Sequence, residues 1–248
     1  MSLPAFPHFA RYLLRTTDTS AAAAFYAAVL GRALPVYDTP RGDGIVALHE
    51  AARARGARPH WLGHIAAQAL GGAEAAAARA VAAGATRLGP PPGTGDFAVL
   101  RDPDGSIVAF TDRTDEPTAG VVWHQLNARR ATDAASWYGT QVGWSFGAPE
   151  DLEALGVHRR FAYRAGTTPV GVLSDIAQRP EVHTHWLFYF AVPALDAAVA
   201  QVQARRGIVT ATITLASGAR LAVCDDPQGA AFGLIEPGDV SMLAGAGG

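Results

Sequence analysis

The chain repeats itself, and the repeat limits what it can fold into. Phe25-Tyr26 in the first half matches Trp137-Tyr138 in the second, each a few residues before a glycine, Gly31 or Gly143. His60-Trp61-Leu62 matches His185-Trp186-Leu187, and Asp102-Pro103-Asp104-Gly105 matches Asp226-Pro227-Gln228-Gly229. Matched points lie about 112 residues apart early and about 125 later, so the second half has the longer loop, near residues 147–158. Each half in turn reads as two units of strand, helix and further strands.

Residues 59–66 and their echo at 183–190 are apolar, rich in aromatic and His residues, and followed by alanine-rich helical patterns. Such runs read as buried or half-buried strands. Alternation then puts His60, Leu62, His64 and Ala66 on one face. Trp61 and Trp186 fall on the opposite face, under the helices. Residues 9–15 read as a strand, and Asp18 with its Thr and Ser neighbours supplies capping oxygens for a helix over 21–30 that stops at Gly31. Further helices are expected over 73–83, 132–142 and 194–206. The Asp-Pro-x-Gly sequences are turns between strands. Residues 51–58 read as a polar connection and 89–93 as a loop. The division expected is a first domain over 1–114 (modules about 9–50 and 59–113), a linker over 115–120, a second domain over 121–237 (modules about 121–174 and 183–236), and a flexible tail over 238–248.

Charged residues make up 17% of the chain and the formal net charge is −2, which gives no electrostatic footprint for nucleic acid or an anionic membrane. The single cysteine, Cys224, excludes an internal disulfide and a cysteine metal cluster. No signal-peptide pattern and no apolar run approaching the roughly 20 residues of a membrane span are present. A cytoplasmic protein is expected. No Gly-x-Ser-x-Gly elbow occurs, and Gly93-Thr94-Gly95 follows prolines instead of a strand, which disqualifies it as a dinucleotide loop.

A strand, a helix ending Phe25-Tyr26 to Leu30-Gly31, and a later Asp-Pro-Asp-Gly turn together resemble the vicinal oxygen chelate superfamily, which includes glyoxalase I, bleomycin-resistance proteins and extradiol dioxygenases. The second half, with Trp123, Leu126, Trp137-Tyr138 and Gly143-Trp144, is similar to a tandem-domain branch of it. The resemblance covers about residues 9–237. It implies an α+β fold of four βαβββ modules, paired into two tandem glyoxalase-like domains, each a curved mixed sheet around a cavity with helices outside.

In metal-using members of that superfamily one ligand comes from the first strand of each module and a Glu from the last, leaving a coordination position open for a substrate's vicinal oxygens. Carried over, the positions are Arg11, Ala47, His64 and Ala109 in the first domain, and Trp123, Gly171, Tyr189 and Gly233 in the second. His64 alone among them suits a metal. A register slip would add His49 or Glu50. The resemblance therefore implies a small-molecule-binding protein that works without a metal or other cofactor, in sequestration or resistance. The alternatives are a divalent-metal-dependent lyase, isomerase or dioxygenase using His64 with His49 or Glu50, and an interaction protein whose cavities are filled by side chains.

The residues expected to contact ligand are Arg11, His49, His64, Trp123, Gln125 and Tyr189. Trp123, Gln125 and Asn127 share a face, as do Arg11 and Arg15, and a buried Arg11 requires an anionic partner from protein or ligand. His64 reads equally as a ligand contact or as a packed histidine bonded to a backbone carbonyl, and Trp123 as a cavity wall or a cavity filler. The expected partner is a small organic molecule, with no nucleic acid and no membrane, in a two-domain monomer or a homodimer.

Overall fold

A computed structural model describes residues 6–39, 42–114 and 116–245. The first module holds β1 (Phe9–Thr16), α1 (Thr19–Leu30), β2 (Val36–Tyr37), β3 (Gly44–Ala47) and a short helix α2 (Glu50–Ala54). The second holds β4 (His60–Ala66), α3 (Ala73–Ala82), β5 (Thr86–Gly89), β6 (Phe97–Arg101) and β7 (Ile107–Thr111). The third holds β8 (Val121–Asn127), α4 (Ala131–Val142), β9 (Ser145–Phe146), β10 (Glu150–Asp151), β11 (Val157–Ala162) and β12 (Gly171–Ser174). The fourth holds β13 (His185–Ala191), α5 (Leu195–Ala204), β14 (Ile208–Thr214), β15 (Arg220–Asp225), β16 (Ala231–Ile235) and a final helix α6 (Pro237–Gly245).

Local chemistry sets the ends of these elements. Asp18 caps α1 by accepting from the amide of Ala21 at 2.9 Å, and Gly31 closes it in the left-handed region at φ 68°. Gly143 closes α4 in the same way at φ 78°.

The modules share two mixed sheets. The first runs β2-β3-β1-β4-β7-β6-β5, and the second runs β10-β11-β12-β8-β13-β16-β15-β14, with β9 on β11. Within each module the first strand lies parallel to the last, β1 with β3, β4 with β7, β8 with β12 and β13 with β16. The first module is abbreviated, with two strands after α1 among the described residues. This is the α+β architecture of paired modules.

The chain divides into two compact units. One contains residues 1–11, 63–116 and 124–186; the other contains 12–62, 117–123 and 187–248. Each unit thus draws most of its residues from one module of either sheet.

A cluster of the repeated motifs lies inside each unit. In one, the Trp61 indole donates to the Tyr26 hydroxyl at 2.9 Å, and Tyr26 donates to a carboxylate oxygen of Asp226 at 3.2 Å. In the other, Trp186 donates to Tyr138 at 2.9 Å and Tyr138 to Asp102 at 2.9 Å. The second oxygen of each Asp organises its own turn: that of Asp102 accepts amides of Asp104, Gly105 and Ser106, and that of Asp226 accepts those of Gln228 and Ala230. Buried Tyr and Trp side chains need partners for their polar tips, and here each supplies the other's. Burial, with the neighbouring carboxylate second, raises both tyrosines well above their ordinary range. The tryptophans therefore pack against helices, as their strand positions predict.

Three expectations change. Residues 115–120, read as a linker, are tied down: Asp43 accepts the amides of Thr118 and Ala119, Arg32 donates to the carbonyls of both, and Gly120 accepts from Ala191. The structure of residue 115 itself lies outside the described residues. The tail, read as flexible, contains α6, because Asp239 accepts the amide of Arg220 and Leu243 is buried. The polar connection after β3 holds α2, which His49 caps. Among the described residues no helix is long and apolar enough to cross a membrane.

Candidate ligand site

Trp61 bonds to α1 and Trp186 to α4, so His64 and Tyr189, an odd number of residues along the same strands, face away from the helices. On that inner face of the first sheet β1 and β4 place Arg11 against His64. An Arg11 terminal nitrogen donates to Nδ1 of His64 at 3.1 Å and to the hydroxyl of Thr111 at 3.3 Å. The Phe97 ring lies under both, its centroid 5.8 Å from the guanidinium carbon and 5.5 Å from the imidazole. Arg11 is 2% exposed and His64 0%.

A guanidinium has donors only, so Nδ1 of His64 must accept and the imidazole is the neutral Nε2–H form. Burying such a charge is costly unless hydrogen bonds and ring contacts compensate.

The metal used by some proteins of the family that the sequence resembles does not fit these residues. The lone pair of His64 Nδ1 is taken by Arg11, whose charge repels a cation about 4 Å away by about 4 kcal/mol per unit charge at an effective dielectric of about 20. The strand partner of His64 is Ala109. In the second sheet Tyr189 is opposite Gly233, and a Cβ added to Gly233 would fall 2.2 Å from Cδ1 of the Tyr189 ring. The glycine makes room for the ring that fills the site. Among the described residues no three His, Cys, Asp or Glu side chains group to hold a metal.

Pairing register also displaces two assigned positions. Ala47 lies opposite Thr16 and is exposed, and Gly171 lies opposite His124, while Gln125 pairs with Val172. His49 and Glu50 are exposed; Nδ1 of His49 accepts the amide of Ala51, and Glu50 sits in the first turn of α2.

On the second sheet the Gln125 side chain donates to Oδ1 of Asn127 at 2.7 Å, and Nδ2 of Asn127 donates to Nε2 of His185 at 3.3 Å. His185 in turn bonds the carbonyl of His183 at 2.8 Å, which fixes its proton on Nδ1. Trp123 and Tyr189 are 2% and 1% exposed.

Alternation predicts the Gln125 and Asn127 pair but not His185, which arrives from another module. Phe97 and Thr111 were also missed; Thr111 lies on β7, which pairs with β4, and Phe97 on β6, which pairs with β7, and both pairings are long-range properties. His124, on the helix side of β8, stacks on Phe9 with centroids 4.8 Å apart and bonds the Val170 carbonyl at 2.7 Å. Burial pushes its pKa down to about 4, against the opposing effect of that hydrogen bond. An open depression of about 400 Å³ lies elsewhere in the same unit, beside the start of α4, lined by residues including Arg130, Arg159 and Asp175.

Comparison with known proteins agrees with this architecture. Residues 11–110 match the family described as Glyoxalase-like domain. The "Putative glyoxylase CFP32" of Mycobacterium tuberculosis is 28% identical, over 90% of this chain and 92% of its own length. The Mn(II)-bound glyoxalase from Novosphingobium aromaticivorans superposes with a TM-score of 0.56 at 15% identity, covering 95% of this chain and 83% of its own. The 2,3-dioxygenase LapB from Pseudomonas sp. KL28 gives 0.57 at 12% identity, covering 93% and 91%.

Proposed function

We propose that this chain, a member of the vicinal oxygen chelate superfamily with a glyoxalase-like domain over residues 11–110, binds a small organic anion on the inner face of its first sheet without a divalent metal. The observation that carries the reading is the buried Arg11–His64 pair at the position where a metal ligand would stand. A desolvated guanidinium is a strong recognition element for a carboxylate, and the planar Phe97 ring beside it suits a flat carbon skeleton. Phe97 is half-buried while the Arg11–His64 pair it packs against is covered, so its displacement is the motion that would admit a ligand. Tyr189 over Gly233 supports the reading that the second sheet's inner face is packed shut, which leaves binding to the first. Sequestration or resistance is the use most consistent with binding that lacks a metal to activate the ligand.

Calorimetric titration with benzoate and with pyruvate tests this, alongside native mass spectrometry of protein purified without added metal. Arg11→Met should weaken binding about tenfold or more, the loss expected for a charge-assisted hydrogen bond. Unchanged affinity in that variant would end the anion reading. Stoichiometric Zn, Mn, Ni or Fe that disappears in His64→Ala would replace it with the metal-dependent alternative.

A further inference from the structure

We propose that the chain forms a homodimer by pairing β14 with the β14 of a second copy. Among the described residues the two sheets have five outermost strands, and four are blunted. β2 and β9 have two residues each; β10 has two, both acidic; β5 has four, with Arg87 ion-paired to Glu74 at 2.7 Å and three prolines following. Shortness, charge and proline are the usual means of stopping a sheet edge from pairing with another chain. β14 has none of them. It runs seven residues, Ile208–Thr214, without charge or proline, and residues 207–219 contain no Asp, Glu, Lys or Arg. Lysine, the commonest edge protector, is absent from the whole chain. Ile208 is 61% exposed. One bulge, between Val209 and Ala211, leaves Ala211 to Thr214 in straight register with β15.

The residue pattern identifies the occupant as a second copy. Ile208, Thr210, Thr212 and Thr214 line the exposed face, and Val209, Ala211 and Ile213 the half-buried one. An antiparallel pair of β14 strands about a two-fold axis at Ala211 or Thr212 sets Thr210 and Thr212 among the partner's threonines and aliphatic against aliphatic. Such β-branched cross-strand pairs are favourable, and no like charges meet. A two-fold interface demands this self-complementarity. A seven-residue pair alone buries less than the roughly 1,000 Å² of a specific interface. The rest would come from α5, which packs on β14 and exposes Ala197, Ala200, Gln201 and Ala204; its charged residue, Asp196, is held by Arg220 at 2.5 Å.

Sedimentation velocity on the full chain tests the proposal. The wild type should be dimeric at about 100 µM, in the range of a micromolar dissociation constant. T210K/T212K and T210E/T212E change exposed side chains and bring like charges together across the axis, so each alone should dimerise about tenfold or more weakly. Mixed in equal amounts they should form a heterodimer, a result that loss of folding cannot produce. In the wild type, amide exchange across β14 should slow as concentration rises. A monomeric wild type, unchanged dimerisation of either variant, a mixture that stays monomeric, or concentration-independent exchange would each overturn the proposal.

Discussion

On the sides that face their helices the two halves of the chain are built alike, and on their inner faces they are not. Trp61 and Trp186 hold Tyr26 and Tyr138 at the same 2.9 Å, and each tyrosine reaches a turn aspartate. Across the strands, His64 opposite Ala109 carries Arg11, whereas Tyr189 opposite Gly233 lays its own ring over the glycine. Helix packing constrains the first set of positions, since a buried indole or phenol without its partner is destabilising. The inner face is free of that demand. It holds a polar, charged contact in one sheet and an aromatic ring over a glycine in the other.

Mutations can break this contrast. The largest effect is expected from Gly233→Ala, which drives a methyl group into the Tyr189 ring at 2.2 Å and should destabilise by about 3 kcal/mol or more. Its counterpart Ala109→Gly removes one buried methyl and adds backbone freedom, and should cost about 1–2 kcal/mol. Equal losses in chemical denaturation would show that the second inner face is not plugged. Acidification should give an effect of nearly the same size. The His124 pKa lies at about 4 when folded and 6.5 when not, so the unfolded chain binds the extra proton. Stability present above about pH 6.5 is therefore lost as pH falls toward 4, by about 3 kcal/mol at most. His60 and His185, the repeat pair, are also pushed to about 4 by burial and add to the same slope, less strongly because both are partly exposed. His124→Phe should flatten the pH dependence; an unaltered slope would assign the acid sensitivity elsewhere.

His64→Ala should cost about 2 kcal/mol, because Arg11 loses a hydrogen bond to its buried charge. Adding Arg11→Met should recover part of the loss, and strict additivity would mean the two side chains do not interact. Tyr26→Phe and Tyr138→Phe each leave a Trp N–H and an Asp oxygen without a partner, at about 1–2 kcal/mol. Here the two halves should respond equally, and a large inequality would undo the equivalence of the clusters.

The repeat, the α+β modules and the helix ends at Gly31 and Gly143 were legible because they depend on residues close in sequence. Alternation placed Arg11 and His64 correctly on their strands. It could not show that they touch, nor that Phe97 and Thr111 complete the contact, since those depend on pairing between distant strands. The same limit misplaced Ala47 and Gly171: each lies on the expected strand, but the register sets them opposite Thr16 and His124. β14 escaped notice because Gly207 joins it directly to the end of the preceding helical segment, with no turn sequence to announce it.

The two clusters cross over in chain order. Tyr26 and Trp61 precede residues 115–120 and Tyr26 donates to Asp226 beyond them, while Tyr138, which accepts from Trp186, donates to Asp102 from before them. Neither half of the polypeptide therefore contains a finished cluster. A gene cut between the codons for residues 116 and 117 would yield two fragments, each with a tyrosine hydroxyl whose aspartate acceptor only the other carries. Co-expressed, the fragments should reassemble; expressed singly, each should be insoluble.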